Sequence, residues 1–214
     1  MAVKIKICGM KYPENMEEIA LLQPDYLGFI FYEKSPRYFE NSIPNNDKSI
    51  KKVGVFVNAS YEEIKEKVRQ YQLDLVQLHG EETPELCHKI ETELVKVIKA
   101  LSVDNKFNFN ILELYKNSCS YFLFDTKGKQ YGGNGVTFDW NILKNYSLEK
   151  PYFLSGGIGI ENTEELKEFL QKEYAENCYA IDLNSKFETE PGIKNPKKIN
   201  DFINKLNNSY DIKI

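Results

Sequence analysis

At 214 residues the chain can bury the core of one large domain or two small ones. Its 28 basic and 32 acidic side chains leave a net charge of −4 and are well mixed, so no basic stripe points to nucleic acid. No apolar run approaches the roughly 18 residues of a membrane helix, and the Lys-interrupted start MAVKIKICG does not read as a signal peptide. Four cysteines, Cys8, Cys87, Cys119 and Cys178, lie scattered without metal-ligand spacing. The expectation is a soluble cytoplasmic protein with reduced thiols, no membrane partner and no metal.

Val3 to Ile7 alternates apolar and polar residues and predicts a first strand that exits at Cys8-Gly9. Pro13 fits a first helical position, followed by an apolar stripe of Met16, Ile19, Ala20 and Leu22. Tyr26 to Phe31 is a second buried strand, leading to Ser35-Pro36-Arg37-Tyr38. The segment from Phe39 to Lys52 reads mainly as loop, with room for a short helix at most before a third strand at Val53–Val57. Ser60-Tyr61-Glu62-Glu63 is a capping box for a helix with Ile64, Val68 and Tyr71 on one face. Leu75 to Leu78 is the fourth strand, exiting at His79-Gly80, and Thr83-Pro84 starts another helix.

Val95 to Ala100 is the fifth strand, and Ile111, Leu112, Leu114 and Tyr115 mark a helix after it. The sixth strand, Tyr121 to Phe124, stops on Asp125-Thr126 and a loop holding Gly128, Gly132, Gly133 and Gly135. A carboxylate beside backbone that can turn its NH groups freely suits chemistry on an anionic ligand, and equally suits a solvated turn. Asp139 can cap a helix through Trp140, Ile142 and Leu143. Tyr152 to Leu154 is the seventh strand, exiting at Ser155-Gly156-Gly157, and Asn162 to Glu165 reads as a second capping box. Cys178 to Leu183 is the eighth strand, Asn195-Pro196 opens the last helix, and a polar tail follows from Asn207.

Eight strand-like runs alternate with helices or helix-sized gaps, and strands apolar on both faces and separated by crossovers imply a parallel sheet. Eight repeats favour an α/β fold of one domain over 1–214, a closed (β/α)8 TIM barrel with its second helix shortened or missing. Active sites of such barrels lie at the C-terminal ends of the strands. Those ends carry Cys8, Arg37, His79, Asp125, Gly156, Gly157, Asp182, Asn184 and Ser185. The loops after the last two strands suit a phosphate, held by Gly156-Gly157 backbone and by Asn184 and Ser185.

Lys6-Ile7-Cys8-Gly9, Ser35-Pro36-Arg37-Tyr38, Val53 to Asn58, Gln77-Leu78-His79-Gly80, Gly132 to Gly135 with Phe138-Asp139-Trp140, and Leu154 to Gly157 together resemble the phosphoribosylanthranilate isomerases of tryptophan biosynthesis. The resemblance spans nearly the whole chain. It implies an Amadori rearrangement of a phosphosugar-anthranilate substrate, with no metal or organic cofactor. It makes Asp125 the general acid at the ring oxygen and Cys8 the general base at C2. It gives Arg37 the anthranilate carboxylate, places His79 on the pocket wall, and leaves Asp182 to orient sugar hydroxyls. A base thiol needs a neighbouring positive charge or NH donors; Lys6 is expected to point away from the pocket by strand alternation. The family includes monomers and homodimers. Lys186 stands where the family has a small residue, and the segment after Tyr38 is short. Two other readings stay open: another phosphosugar barrel, such as an indole-glycerol-phosphate synthase, or a non-catalytic phosphosugar-binding barrel. Whether Cys8 and Asp125 face one pocket separates them.

Overall fold

The computed structural model describes residues 3–44, 49–126 and 138–207, so the glycines at 128–135 and the tail beyond Asn207 lie outside it. Eight parallel strands close on themselves in chain order: β1 (Lys4–Cys8), β2 (Tyr26–Ile30), β3 (Lys51–Phe56), β4 (Leu75–Leu78), β5 (Lys96–Val103), β6 (Tyr121–Thr126), β7 (Tyr152–Leu154) and β8 (Cys178–Leu183). The barrel closes where β1 pairs with β8, setting Lys6 beside Asp182 and Ile7 beside Leu183. Among the described residues no helix is long and apolar enough to cross a membrane.

Helices pack outside this barrel: α1 (Pro13–Ala20), α2 (Tyr61–Tyr71), α3 (Pro84–Glu93), α4 (Thr163–Leu170) and α5 (Pro196–Asn207). Local chemistry starts most of them as expected. Ser60 and Glu63 form the reciprocal capping box of α2, Thr83 accepts the Leu86 NH ahead of α3, and Asn195 accepts the Lys198 NH in α5. The capping box expected at Asn162 is different. Its Oδ1 accepts the Gly159 NH at 2.9 Å and its Nδ2 donates to the Gly157 carbonyl, so the side chain braces the glycine turn instead of capping α4. The helices expected after β5 and β6 are 3-10 turns, over Phe109–Leu114 and Trp140–Asn145. Asn108 and Asp139 bend back onto the NH two residues ahead, closing tight turns that suit short apolar segments.

No helix joins β2 to β3 among the described residues, as the sequence led us to expect. Aromatic rings cover that wall instead. Phe31 lies 5.2 Å from Phe56, 5.1 Å from Tyr71 and 5.9 Å from Phe39, ring centre to ring centre, and Phe39 lies 5.0 Å from Phe29. These rings bury apolar area that a helix would otherwise supply.

The barrel interior has two storeys. The lower is apolar, built from Tyr26, Val53, Leu75, Ile98, Ala100, Leu123, Phe153 and Ala180. The upper, toward the C-terminal ends, holds the buried polar side chains Lys6, Gln77 and Asp182. One element had no signal in the pattern: a hairpin of β9 (Glu188–Glu190) and β10 (Ile193–Lys194) after the eighth strand.

Candidate active site

The strand ends open onto one cavity. Cys8, Arg37, His79, Asp125, Gly156, Gly157, Asp182, Asn184 and Ser185 all line it. Cys8 and Asp125 therefore face one pocket, from strands β1 and β6.

Cys8 ends β1 and is buried, level with Gly28 on β2. A Cβ on Gly28 would sit 2.9 Å from the Cys8 sulfur and 3.0 Å from its Cα, so only glycine leaves the thiol its place. Gly28→Ala is expected to destabilise the barrel by about 1–3 kcal/mol through overpacking. It is also expected to lower kcat by up to about a hundredfold, because the sulfur shifts. Urea titration beside steady-state kinetics checks this, and unchanged kcat would show that the thiol's position does not matter.

Lys6 corrects the sequence reading. It lies two residues before Cys8 on the same strand and so shares its face. Its side chain is fully buried inside the barrel, donating to Asp182 Oδ2 and to Gln77 Oε1, each at 2.9 Å. Burial opposes the ammonium charge, but Asp182 and Cys8 outweigh it and hold Lys6 above its usual range. Burial pushes Asp182 up, with Lys6 pulling it back. Burial likewise pushes the Cys8 thiol above its ordinary value; Lys6 and Lys194 pull it down and Asp182 adds to the rise. The cations a base thiol requires are present, and burial still wins.

Asp125 ends in a different setting. Its Oδ1 accepts the Thr126 NH at 3.0 Å, and its Oδ2 lies 3.3 Å from His79 Nε2. His79 Nδ1 is in turn 3.3 Å from Gln77 Nε2. A chain of polar contacts thus crosses the pocket floor from Asp182 through Lys6, Gln77 and His79 to Asp125.

Arg37 follows a turn in which the Ser35 hydroxyl accepts its NH at 3.1 Å. Its Nε and Nη2 donate to Glu188 at 2.8 and 2.6 Å, leaving the Nη1/Nη2 edge for a ligand. Glu188 also accepts from Lys194 at 2.6 Å, and Lys194 donates to Asn184 Oδ1 at 2.8 Å. Burial would raise the Glu188 carboxyl, but the Arg37 and Lys194 charges hold it below its usual value. Burial brings the Lys194 ammonium down to about 8, with Glu188 pulling it back up.

The glycine turn after β7 is forced by its surroundings. Gly156 has φ +91°, and a Cβ there would meet Thr126 Oγ1 at 2.2 Å. Lys186, also on the cavity wall, pairs with Glu161 at 2.7 Å across the loops after β7 and β8.

Four polar groups of this site escaped the sequence reading: Lys6, Gln77, Glu188 and Lys194. Lys6 carried a signal in its parity with Cys8, and Gln77 in being the lone polar residue of an otherwise apolar strand. Glu188 and Lys194 carried none, because the hairpin that presents them has no periodic pattern.

Fold and pocket together define a (β/α)8-barrel enzyme with its site at the C-terminal mouth. The family model for N-(5'-phosphoribosyl)anthranilate isomerase matches residues 5–205. A relative of that name from Parabacteroides distasonis is 44% identical over 208 residues, covering 94% of this chain and 92% of its own. The phosphoribosylanthranilate isomerase structure from Thermotoga maritima superposes with a TM-score of 0.81 at 34% identity, covering 97% of this chain and 100% of its own. A further structure of the isomerase, in complex with reduced 1-(o-carboxyphenylamino)-1-deoxyribulose 5-phosphate, gives a TM-score of 0.77 at 32% identity over the same shares. The chain belongs to the N-(5'-phosphoribosyl)anthranilate isomerase family.

Proposed function

We propose that this chain, acting as one catalytic domain in the cytoplasm, converts N-(5'-phosphoribosyl)anthranilate to 1-(2-carboxyphenylamino)-1-deoxyribulose 5-phosphate in tryptophan biosynthesis. The observation that carries this reading is the placing of Cys8 and Asp125 on one cavity. A phosphosugar-binding module has no use for a buried acid and a buried thiol facing the same space. An indole-glycerol-phosphate synthase would need free Lys and Glu in catalytic positions, and here the lysines are taken up in ion pairs, Lys6 with Asp182, Lys186 with Glu161 and Lys194 with Glu188.

In the proposed sequence Asp125 gives its proton to the furanose ring oxygen. The C1–O bond breaks, and the anthranilate nitrogen lone pair forms the iminium. The Cys8 thiolate then takes the proton from C2. The C–H electron pair becomes the C1=C2 bond, and the iminium π pair returns to nitrogen. The neutral enolamine tautomerises to the ketone as C1 gains a proton and the C2 hydroxyl loses one.

The open edge of Arg37 suits the anthranilate carboxylate, since a planar guanidinium offers two parallel donors. Gly156 and Gly157 offer bare backbone to the phosphate, and Asn184 and Ser185 line the same cavity. Among the described residues Asp182 Oδ1 has no hydrogen-bond partner, which leaves it an acceptor for a sugar hydroxyl.

The test is turnover of freshly generated phosphoribosylanthranilate, followed through the loss of its fluorescence. Catalysed decay with accumulation of the ketose is expected. A folded protein that binds phosphosugars without turning this substrate over would make the chain a binding module.

A further inference from the structure

The contacts beneath Asp125 fix a proton that the proposed acid–base pair leaves unassigned. An ammonium has three donors and no acceptor. The 2.9 Å contact between Lys6 and the Gln77 side chain is therefore made to the amide oxygen, which settles an orientation that side-chain shape alone would leave open. Asp182, at 2.9 Å on the other side of the ammonium, keeps Lys6 in place. With its oxygen held by Lys6, Gln77 turns its NH2 toward His79 Nδ1 at 3.3 Å. An amide nitrogen only donates, so Nδ1 must hold the lone pair, and a neutral His79 must carry its proton on Nε2. That nitrogen is buried, has no aligned hydrogen-bond partner among the described residues, and lies 3.3 Å from Asp125 Oδ2.

We propose that Gln77, oriented by Lys6, is a positioning residue that fixes His79 as the Nε2–H tautomer and so presents an N–H donor to Asp125. The inference rests on the isomerase reading for its kinetic part only. Once Asp125 gives up its proton, its Oδ1 is covered by the Thr126 NH and its Oδ2 faces the His79 Nε2–H. The carboxylate left by ring opening then has a donor for each oxygen. In the opposite tautomer a lone pair would face the new carboxylate, raising the energy of the same step. Contacts of this kind are often long in the free enzyme and tighten as the reaction proceeds.

The chain has two histidines, His79 and His88, which makes the side-chain nitrogen-15 spectrum simple to assign. In the ligand-free wild type, His79 should show a lone-pair (pyridine-type) Nδ1 and a protonated (pyrrole-type) Nε2. In Gln77→Glu a carboxylate oxygen replaces the amide nitrogen, so the proton should move to Nδ1 or the ring should become doubly protonated. The same variant should lose about ten- to a hundredfold in kcat, the worth of one hydrogen bond to a charged group, with KM little changed. A wild-type spectrum with the proton on Nδ1 overturns the inference, and so does a Gln77→Glu variant that keeps the Nε2–H form and full kcat. Because the wild-type spectrum requires neither variant nor substrate, it stands apart from the turnover assay. Failure of that assay alone removes the isomerase reading and leaves the tautomer assignment intact.

Discussion

Asp125→Asn is expected to lower kcat by about 10²- to 10⁴-fold, the usual worth of a positioned general acid, with the barrel left folded. The carboxamide has the shape of the carboxyl, and its oxygen can still accept the Thr126 NH that Oδ1 accepts at 3.0 Å. What it lacks is an acidic proton for the ring oxygen, and without that proton the leaving alkoxide must depart uncatalysed. The assay is the fluorescence decay of phosphoribosylanthranilate at saturating substrate, with a thermal melt run alongside. A variant within a few-fold of wild type would show that ring opening draws its proton from elsewhere.

Cys8→Ser should cost a comparable 10²- to 10⁴-fold, because a hydroxyl in place of the thiol is far too weakly acidic to supply its anion at neutral pH. The wild type should carry a pH signature of the same group. Burial holds the thiol above its ordinary value despite Lys6 and Lys194 beside it. The working form is the thiolate, so kcat/KM should climb as pH rises, on a limb lying above the ordinary thiol value of about 8.5. Lys194, brought down to about 8, loses its charge over the same range. That loss removes one of the cations favouring the thiolate, so the limb should be broader than a single ionisation. A wild-type profile flat from neutral to alkaline pH, or a serine variant with near-native kcat, would remove Cys8 from the role of base.

The barrel was legible because most strands are short apolar runs ended by a turn or a polar exit, and those exits form the mouth of the pocket. Parallel strands buried on both faces leave this mark, and Ser60-Glu63 and Thr83-Pro84 mark helix starts just as plainly. Cys8, His79, Asp125 and Asp182 could be nominated for the same reason: each sits at or next to the end of a strand-like run. Lys6 was misread because a lysine inside an alternating strand ordinarily faces water. In a closed barrel the inner face is no more solvated than the outer one, and the upper storey here is polar. The partners of Arg37 were out of reach, since Glu188 lies 151 positions along the chain on a hairpin with no sequence pattern. Asn162 shows a different limit. Its residue type announces a cap, but the nearer orphan groups are the Gly159 NH and the Gly157 carbonyl, and they take its side chain first.

The polar upper storey also bears on how this molecule can change. A buried ion pair such as Lys6–Asp182 gives back in attraction roughly what it loses in hydration, and apolar side chains of equal volume often hold a core together better. Changing Lys6 alone strands Asp182, and changing Asp182 alone strands Lys6, so each single step is punished although the joint replacement is not. Selection for a sturdier barrel would therefore run toward an apolar centre and a silent pocket, and only selection for turnover keeps charge at the middle of the barrel. The same coupling makes this pair a poor place to look for single stabilising substitutions and the outer wall, where aromatic rings stand in for a helix, a better one.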